Sequence, residues 1–349
     1  MKNNTPLSPR PLRHLCDAQR RVLTTAQLRA HGVSSAETNE RCRPGGPWQQ
    51  VLPGVVMLHA GPPTTEERLH AVLLYAGRGP RGGKGPGVPA QPGAESPHRP
   101  VYTEAVVTGP AALTLHGFTE GPALFGVERI DVLVPRSRRL RSTGCARLLR
   151  TPALPLPQYV AGLPVAPAAR AVADTVAGMT DPDRVRRLLT EAVRDGHCEP
   201  ASVVRELTQA RLLGLPHVVD AVDALLAEGR GVAEDRLYRM VRDFGLPDPV
   251  WNVDLRLPGG PHLGGLDAYW PEEGVAVELD TRAPRQDEDA LWAEYARKRE
   301  TLERLGITVV HITPHKLREA VEQQAAVVRT ALMAAGDRDP AAYVVVLPR

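Results

Sequence analysis

The chain has 349 residues, 42% of them hydrophobic and 24% charged, which is typical of a soluble protein with two or three domains. No run of eighteen apolar residues occurs, so no membrane-spanning helix is predicted, and the aromatic content of 4% argues against base stacking as the main mode of binding. The formal charge is +3, but residues 1–150 hold 20 Lys and Arg against 10 Asp and Glu, whereas residues 151–349 hold 23 against 30. A basic N-terminal part on an otherwise acidic chain indicates binding to a polyanion.

The cysteines and the N-terminus favour a cytoplasmic location. The four cysteines are far apart and form no C-x-x-C pair, which argues against a structural zinc site or a disulfide framework. The first fifteen residues, MKNNTPLSPRPLRHL, lack the apolar segment of a signal peptide. We therefore expect a protein of the reducing cytoplasm.

Residues 1–60 are expected to form a winged helix-turn-helix. Three short helices are predicted in LRHLCDAQRRVL, TTAQLRAHG and VSSAETNERCR, and WQQVLPGVVMLHAG follows as a hairpin in the place of a wing. The third helix would contact DNA, and the candidate residues on it are Ser35, Thr38, Asn39, Arg41 and Arg43. The alternative is a small helical packing unit with no role in DNA binding.

Residues 61–228 are expected to form a mixed middle domain. It begins with a capped helix at TTEERLHAVLLYAG and is interrupted by residues 78–100, where 6 Gly and 6 Pro predict a disordered insertion. Further on, the strand RIDVLVP is followed by a basic run with Arg136, Arg138, Arg139 and Arg141. Such a run suits contact with phosphate, although solvated surface charge gives the same pattern.

The last domain is expected at residues 229–335, followed by a tail at 336–349. Its predicted order is α-β-β-β-α-β, which makes the whole chain an α/β (α+β) protein. The elements are a helix at GVAEDRLYRMVRDFG, a strand at VWNVDLRL, a hairpin, a helix ending at Gly306 and the buried strand ITVVHITP. The crossover makes this strand parallel to the second hairpin strand, so the hairpin lies near the middle of the sheet.

The hairpin LDAYWPEEGVAVELD places two acids opposite each other. If PEEG is a four-residue loop, Asp267 faces Glu278, and strand alternation puts Asp267 on the side of Tyr269, with Leu266 and Ala268 on the other side. Like charges directly across a strand pair are destabilising. A shared proton, a basic partner or a divalent cation such as Mg²⁺ would relieve them; alternatively, this face is solvated.

These elements and acids resemble the very-short-patch-repair-like branch of the restriction-endonuclease-like nucleases, the PD-(D/E)xK superfamily. The resemblance covers about residues 230–335 and rests on a helix acid, an Asp on the hairpin, the triplet Glu278-Leu279-Asp280 and the segment RKRETLERLGITVVHITP. It implies Mg²⁺-dependent cleavage of DNA, with the metal bound by Asp267 and Glu278. The catalytic residues that it implies are Glu234, Asp267, Glu278 and Asp280.

Asp280 occupies the position at which the superfamily usually has a lysine. A positive charge would then have to come from elsewhere, and Lys298 or Arg299 on the next helix are the candidates. His311 and His315, in HITPH, are further candidate acids or phosphate contacts, and packing is the alternative role for His311.

The N-terminal region, VLTTAQLRAHGVSSAETNERCRPGGPWQQVLPGVVMLH, is similar to the winged-helix domain of AbiEi-type antitoxins of abortive-infection (type IV toxin–antitoxin) systems. The segment VVTGPAALTLHGF resembles the start of their following domain. This resemblance implies DNA and a cognate toxin protein as partners. Two functional classes stay open: a Mg²⁺-dependent DNA endonuclease of phage defence or repair, and a non-catalytic antitoxin or transcriptional regulator with a nuclease-like fold.

Overall fold

The computed structural model describes residues 20–77, 102, 104–281, 288–335 and 343–349, and side chains of the helix at 288–304 from residue 296 onward. These residues form eleven α-helices and three β-sheets, which confirms an α/β protein. The chain divides into two compact units, Met1–Met179 and Thr180–Arg349. None of the described helices is long and apolar enough to cross a membrane. The predicted insertion at 78–100 lies outside the described residues, as does most of the predicted first helix.

Unit Met1–Met179 begins with two short helices and a small sheet. Strand β1 (Val22–Thr24), helices α1 (Thr25–Ala30) and α2 (Ser35–Arg41), and strands β2 (Gln49–Leu52) and β3 (Val55–Met57) follow in order, and the sheet order is β1-β3-β2. The predicted hairpin is confirmed as β2 and β3. The prediction was wrong at residues 22 and 23, which were expected to end the first helix, because this apolar segment pairs with β3 instead.

The rest of this unit is built on a five-stranded sheet in the order β6-β5-β4-β8-β7. Its strands are β4 (Val106–Thr108), β5 (Ile130–Pro135), β6 (Ala146–Thr151), β7 (Gln158–Val160) and β8 (Leu163–Val165), and its helices are α3 (Thr65–Ala76), α4 (Gly109–Leu115) and α5 (Ala168–Val176). Strands β5 and β6 are parallel and adjacent. Residues 136–145, which contain the predicted basic run, must therefore return from the end of β5 to the start of β6.

Unit Thr180–Arg349 contains the third sheet, in the order β12-β11-β10-β9-β13. Its strands are β9 (Val250–Arg256), β10 (His262–Trp270), β11 (Val275–Leu279), β12 (Thr308–Ile312) and β13 (Val345–Pro348), and its helices are α6 (Pro182–Arg194), α7 (Pro200–Gln209), α8 (Pro216–Asp243), α9 (Glu288–Arg304), α10 (Pro314–Glu319) and α11 (Val321–Ala335). From α8 to β12 the element order is α-β-β-β-α-β, and β12 is parallel to β11. The predicted boundary at 228/229 falls inside α8, and the segment predicted as a tail supplies β13, which pairs with β9.

The two faces of this third sheet pack against different helices. Trp270 and Val277 belong to a core with buried residues of α8, α10 and α11. Tyr269 and Ala276 belong to a second core with Leu302 of α9. The central strands β10 and β11 are thus covered on both sides, and a charged side chain on either strand needs a partner nearby.

Trp270 is the largest side chain in the first of these cores, and its loss should destabilise the unit. It is 2% exposed, and its Nε1–H donates to the Pro247 carbonyl at 2.8 Å. We expect Trp270→Ala to lower the free energy of unfolding by about 3–5 kcal/mol in urea unfolding of the full chain. Tyr343→Ala, at a position 80% exposed, is the control and should stay within about 0.5 kcal/mol of the parent. Equal effects of the two substitutions would contradict this description of the core.

Candidate functional site

The predicted register of the hairpin is confirmed. Strand β10 pairs with β11 through Ala268↔Val277, Tyr269↔Ala276 and Trp270↔Val275. Asp267 and Glu278 are the next residues beyond this ladder, on neighbouring strands in the middle of the sheet. The alternative of a solvated face is wrong, since Asp267 is 4% and Glu278 8% exposed.

Strand alternation breaks at Asp267, and the prediction that it shares a side with Tyr269 was wrong. Leu266 and Tyr269 pack in the same core although they are three residues apart, which strict alternation does not allow. On the adjacent strand β9, Asn252 has a positive φ of 49°, although the pairs on either side of it, Leu266↔Val253 and Ala268↔Trp251, keep the same register. Asp267 turns towards Arg230 of α8.

Asp267 is held by the backbone of β11 and by an arginine from α8. Its Oδ2 accepts the Leu279 N–H at 2.6 Å, and its Oδ1 accepts from Arg230 Nη2 at 2.7 Å. Arg230 Nε also donates to Glu234 Oε1 at 2.7 Å, so the predicted helix acid reaches the site through this guanidinium. Burial raises the pKa of Asp267, the Leu279 N–H and Arg230 oppose this, and Glu234 and Glu278 raise it further.

Glu278 is held from the opposite face of the sheet, by α9. Lys298 Nζ donates to Glu278 Oε1 at 2.8 Å and to the Gly265 carbonyl at 2.8 Å. Of the two predicted sources of positive charge, Lys298 is therefore the one that contacts the acid. Arg299 is half-exposed and pairs with Glu303 at 3.5 Å.

The two histidines and Asp280 occupy different environments. His311 Nδ1 lies 3.7 Å from Glu278 Oε2, and burial lowers the pKa of His311 despite the nearby carboxylates of Glu278 and Asp280. Asp280 donates its backbone N–H to the Ile312 carbonyl and is partly exposed. His315 is exposed on α10.

Gly264 leaves room for Lys298 to reach Glu278, and the neighbouring Gly265 leaves room for Arg349 and Asp254, a feature that sequence reasoning missed. Gly264 has a φ of +120°, and a Cβ built there would lie 2.6 Å from Lys298 Cε. A Cβ on Gly265 would lie 2.9 Å from both Arg349 Cζ and Asp254 Oδ1. The signal was the pair of glycines in HLGGLDAYW, inside a strand, where glycine often marks a close approach.

A second acidic group was also missed. Glu191, Asp195 and His197 hold their ligand atoms within 4.8 Å of one another, and among the described residues this is the group of three that could hold a metal ion. The residues lie at the end of α6 and just after it, with Glu191 buried. Their spacing, E-x-x-x-D-x-H, was the signal available in the sequence.

The DNA-binding candidates on α2 differ in exposure and in charge. Ser35, Asn39 and Arg43 are exposed. Thr38 does not share that face, since it is 4% exposed and its hydroxyl donates to the Ser34 carbonyl. Arg43 was predicted on this helix but lies two residues beyond its end; Arg41 and Arg43 are each paired with a glutamate of α2.

The pairing of these arginines is close. Arg41 Nη2 lies 2.5 Å from Glu37 Oε1, and its guanidinium stacks 4.5 Å from the Trp48 ring. Arg43 Nη1 lies 2.9 Å from Glu40 Oε2. The candidate recognition helix therefore offsets its own positive charge.

The basic run after β5 is divided into inward and outward side chains. Arg138 is only 11% exposed and pairs with Glu104 at 3.0 Å. Arg136 and Arg139 are exposed, and so is Arg141. Arg138 is thus turned away from the surface that the other arginines form.

Comparison of the chain with models of known protein families and with curated protein sequences produced no match.

The role of Gly264 can be tested by adding a methyl group. Gly264→Ala should push Lys298 away from buried Glu278, and we expect it to lower the free energy of unfolding by at least about 1 kcal/mol more than Gly259→Ala. Gly259 is the matched control, because it also has a positive φ, of 64°, but nothing lies within 4 Å of an added Cβ.

A double-mutant cycle in urea unfolding tests whether the stability loss of Gly264→Ala acts through Lys298. In a Lys298→Ala background, the extra loss caused by Gly264→Ala should disappear. Persistence of the full loss would show that the glycine is required for some other reason.

Proposed function

We propose that the chain is a DNA-binding protein whose unit Thr180–Arg349 cleaves phosphodiester bonds with the help of Mg²⁺. The observation that carries this proposal is the contact between Lys298 Nζ and Glu278 Oε1 at 2.8 Å, beside Asp267 on the adjacent strand. Asp267, Glu278 and Lys298 would be the two acids and the cation that the resemblance to restriction-endonuclease-like nucleases requires. The cation would come from α9 instead of position 280.

The side chains fit a divalent cation in their ligand chemistry. Asp267 and Glu278 offer hard carboxylate oxygens, which Mg²⁺ prefers, and an ionised carboxylate has about four lone-pair positions, of which each acid uses only part. Bound Mg²⁺ would lower the pKa of a water molecule and offset charge on the phosphate. Arg230 donates to Asp267 Oδ1 and would have to leave that oxygen. Because Arg230 belongs to α8 and Lys298 to α9, which pack on opposite faces of the sheet, the two carboxylates would also have to turn towards one shared ion.

The remaining residues have roles that follow from their positions. Lys298 fixes the orientation of the Glu278 carboxylate and brings a positive charge that a phosphate can use. Glu234 gives Arg230 a second carboxylate to bind when it leaves Asp267. Asp280 directly follows β11 and His311 lies on the neighbouring strand β12; burial lowers the pKa of His311, and Glu278 and Asp280 oppose this only in part.

Binding to DNA is proposed for unit Met1–Met179. Its two short helices and hairpin have the order of a winged helix-turn-helix, and residues 1–150 have 20 basic against 10 acidic residues. DNA bound by this unit would be the substrate of the other.

A second candidate function is a non-catalytic antitoxin or transcriptional regulator with a cognate toxin as its partner. Arg230 and Lys298 already compensate the charges of Asp267 and Glu278, which favours a non-catalytic function. Under it, the acids are structural ion pairs and no metal is needed.

Nicking of supercoiled plasmid by the full-length protein with Mg²⁺ or Mn²⁺ distinguishes the two functions. We expect the parent protein to nick the plasmid and Lys298→Met to slow nicking by about 100-fold or more, because a positive charge beside the phosphate is lost. Arg299→Met is the matched control. It removes the neighbouring cation, which pairs with Glu303 and not with Glu278, and should change the rate less than about threefold.

Either of two results would count against the nuclease. If the two variants lose nicking rate to the same extent, Lys298 has no specific role in cleavage. Absence of nicking by the parent protein, with duplex DNA still bound, would leave the regulator as the function.

A further inference from the structure

The return segment between β5 and β6, residues 136–145, is a rigid piece of chain. Arg136 N–H donates to the Thr151 carbonyl at 3.0 Å, and Thr143 pairs with Ala146 in an isolated bridge. The Leu148 N–H donates to Ser142 Oγ at 3.0 Å. The segment is therefore bonded to β6 along its length.

Two further side chains bind the carbonyls of this segment. Arg150 donates to the Arg138 carbonyl at 3.1 Å and to the Leu140 carbonyl at 2.7 Å. Tyr75, on α3, donates its hydroxyl to the Arg141 carbonyl at 2.7 Å. Because its carbonyls are fixed in this way, the segment loses little conformational entropy when a ligand binds.

Three arginines project from this rigid segment. Arg136, Arg139 and Arg141 are exposed, and no ion pair to any of them is found within the part of the chain that the structure describes. Two acids of this part of the chain are already paired with other arginines, Glu104 with Arg138 and Asp131 with Arg147. The positive charge of the segment is thus not offset locally, in contrast to that of α2.

The spacing of the three arginines suits the backbone of a duplex. Five residue steps extend over at most about 18 Å, a length over which one strand of B-DNA carries about five phosphates. A guanidinium group binds phosphate with two parallel hydrogen bonds. The segment, RSRRLRSTGC, contains no aromatic residue on which an unpaired base could stack, which favours a duplex over a single strand.

We infer that Arg136, Arg139 and Arg141 form the main phosphate-binding surface of unit Met1–Met179, and that the ligand is the backbone of double-stranded DNA. The inference rests on the proposed DNA binding but changes its location. Helix α2, with Arg41 and Arg43 neutralised by its own glutamates, contributes little to the affinity for phosphate.

The salt dependence of binding measures the number of phosphates neutralised. The full-length protein is titrated into a fluorescent duplex of mixed sequence at several salt concentrations, alongside the triple variant Arg136→Gln, Arg139→Gln, Arg141→Gln. Loss of three phosphate contacts should reduce the slope of log K against log salt by about 2.7. Between 50 and 200 mM salt, the parent should therefore lose about 40-fold more affinity than the triple variant.

The double variant Arg41→Gln, Arg43→Gln is the matched control and should keep the parent slope to within about half a unit. Unchanged melting curves establish that the variants remain folded.

Four other outcomes overturn the inference, and each has its own meaning. If the triple variant keeps the salt dependence of the parent, the protein still binds DNA, but through other residues. If the double variant has a reduced slope, the phosphate contacts are made by Arg41 and Arg43 instead. Failure of the parent to bind any duplex ends the proposed DNA binding as well. If the parent binds a single-stranded RNA of the same length more tightly than the duplex, the ligand is RNA and not duplex DNA.

Discussion

Two buried carboxylates in the centre of the third sheet, each neutralised by a cation from a different helix, set the constraint on which the C-terminal unit depends. An ionised carboxylate in a covered sheet is costly unless it is paired and hydrogen-bonded. Arg230 of α8 meets this need for Asp267, and Lys298 of α9 meets it for Glu278. Because α8 and α9 pack on opposite faces of the sheet, both helices must be in place before the two acids can be buried.

The same constraint gives the site its chemical interest. Residues that only needed to fill a core would be apolar at these positions, as Val277 and Ala268 are beside them. The chain instead has a positive φ at Asn252 and at Gly264 and places two long basic side chains on the acids. An arrangement of this kind is stable when its charges balance, and under the proposed function a metal ion would take the place of one protein cation.

Much of the fold followed from local patterns. The alternation in VAVELD and the PEEG loop were sufficient for the hairpin register, because a two-residue period and a short loop leave few alternatives. Residues 22 and 23 were placed in a helix because apolar spacing alone does not reveal their distant pairing partners, Met57 and Val56. Strand β13 was missed for the same reason, since it is stabilised by β9 from a distance.

The site could be predicted only in part. The acids and the need for a cation were evident in the sequence, but the choice between Lys298 and Arg299 depends on the rotation of α9, which only packing determines. The turn of Asp267 towards α8 depends on Arg230, which lies 37 residues earlier in the chain. The inward turn of Arg138 likewise depends on Glu104, 34 residues earlier.

The most direct test is calorimetric titration of Mn²⁺ into the full-length protein, comparing the parent with Arg230→Met and with Arg230→Met combined with Asp267→Asn. If the acids form a metal site from which Arg230 must withdraw, Arg230→Met should bind Mn²⁺ about tenfold more tightly than the parent. The added Asp267→Asn substitution should abolish that gain. Absence of binding in both the parent and Arg230→Met at millimolar Mn²⁺ would contradict the account and leave the two acids as structural ion pairs.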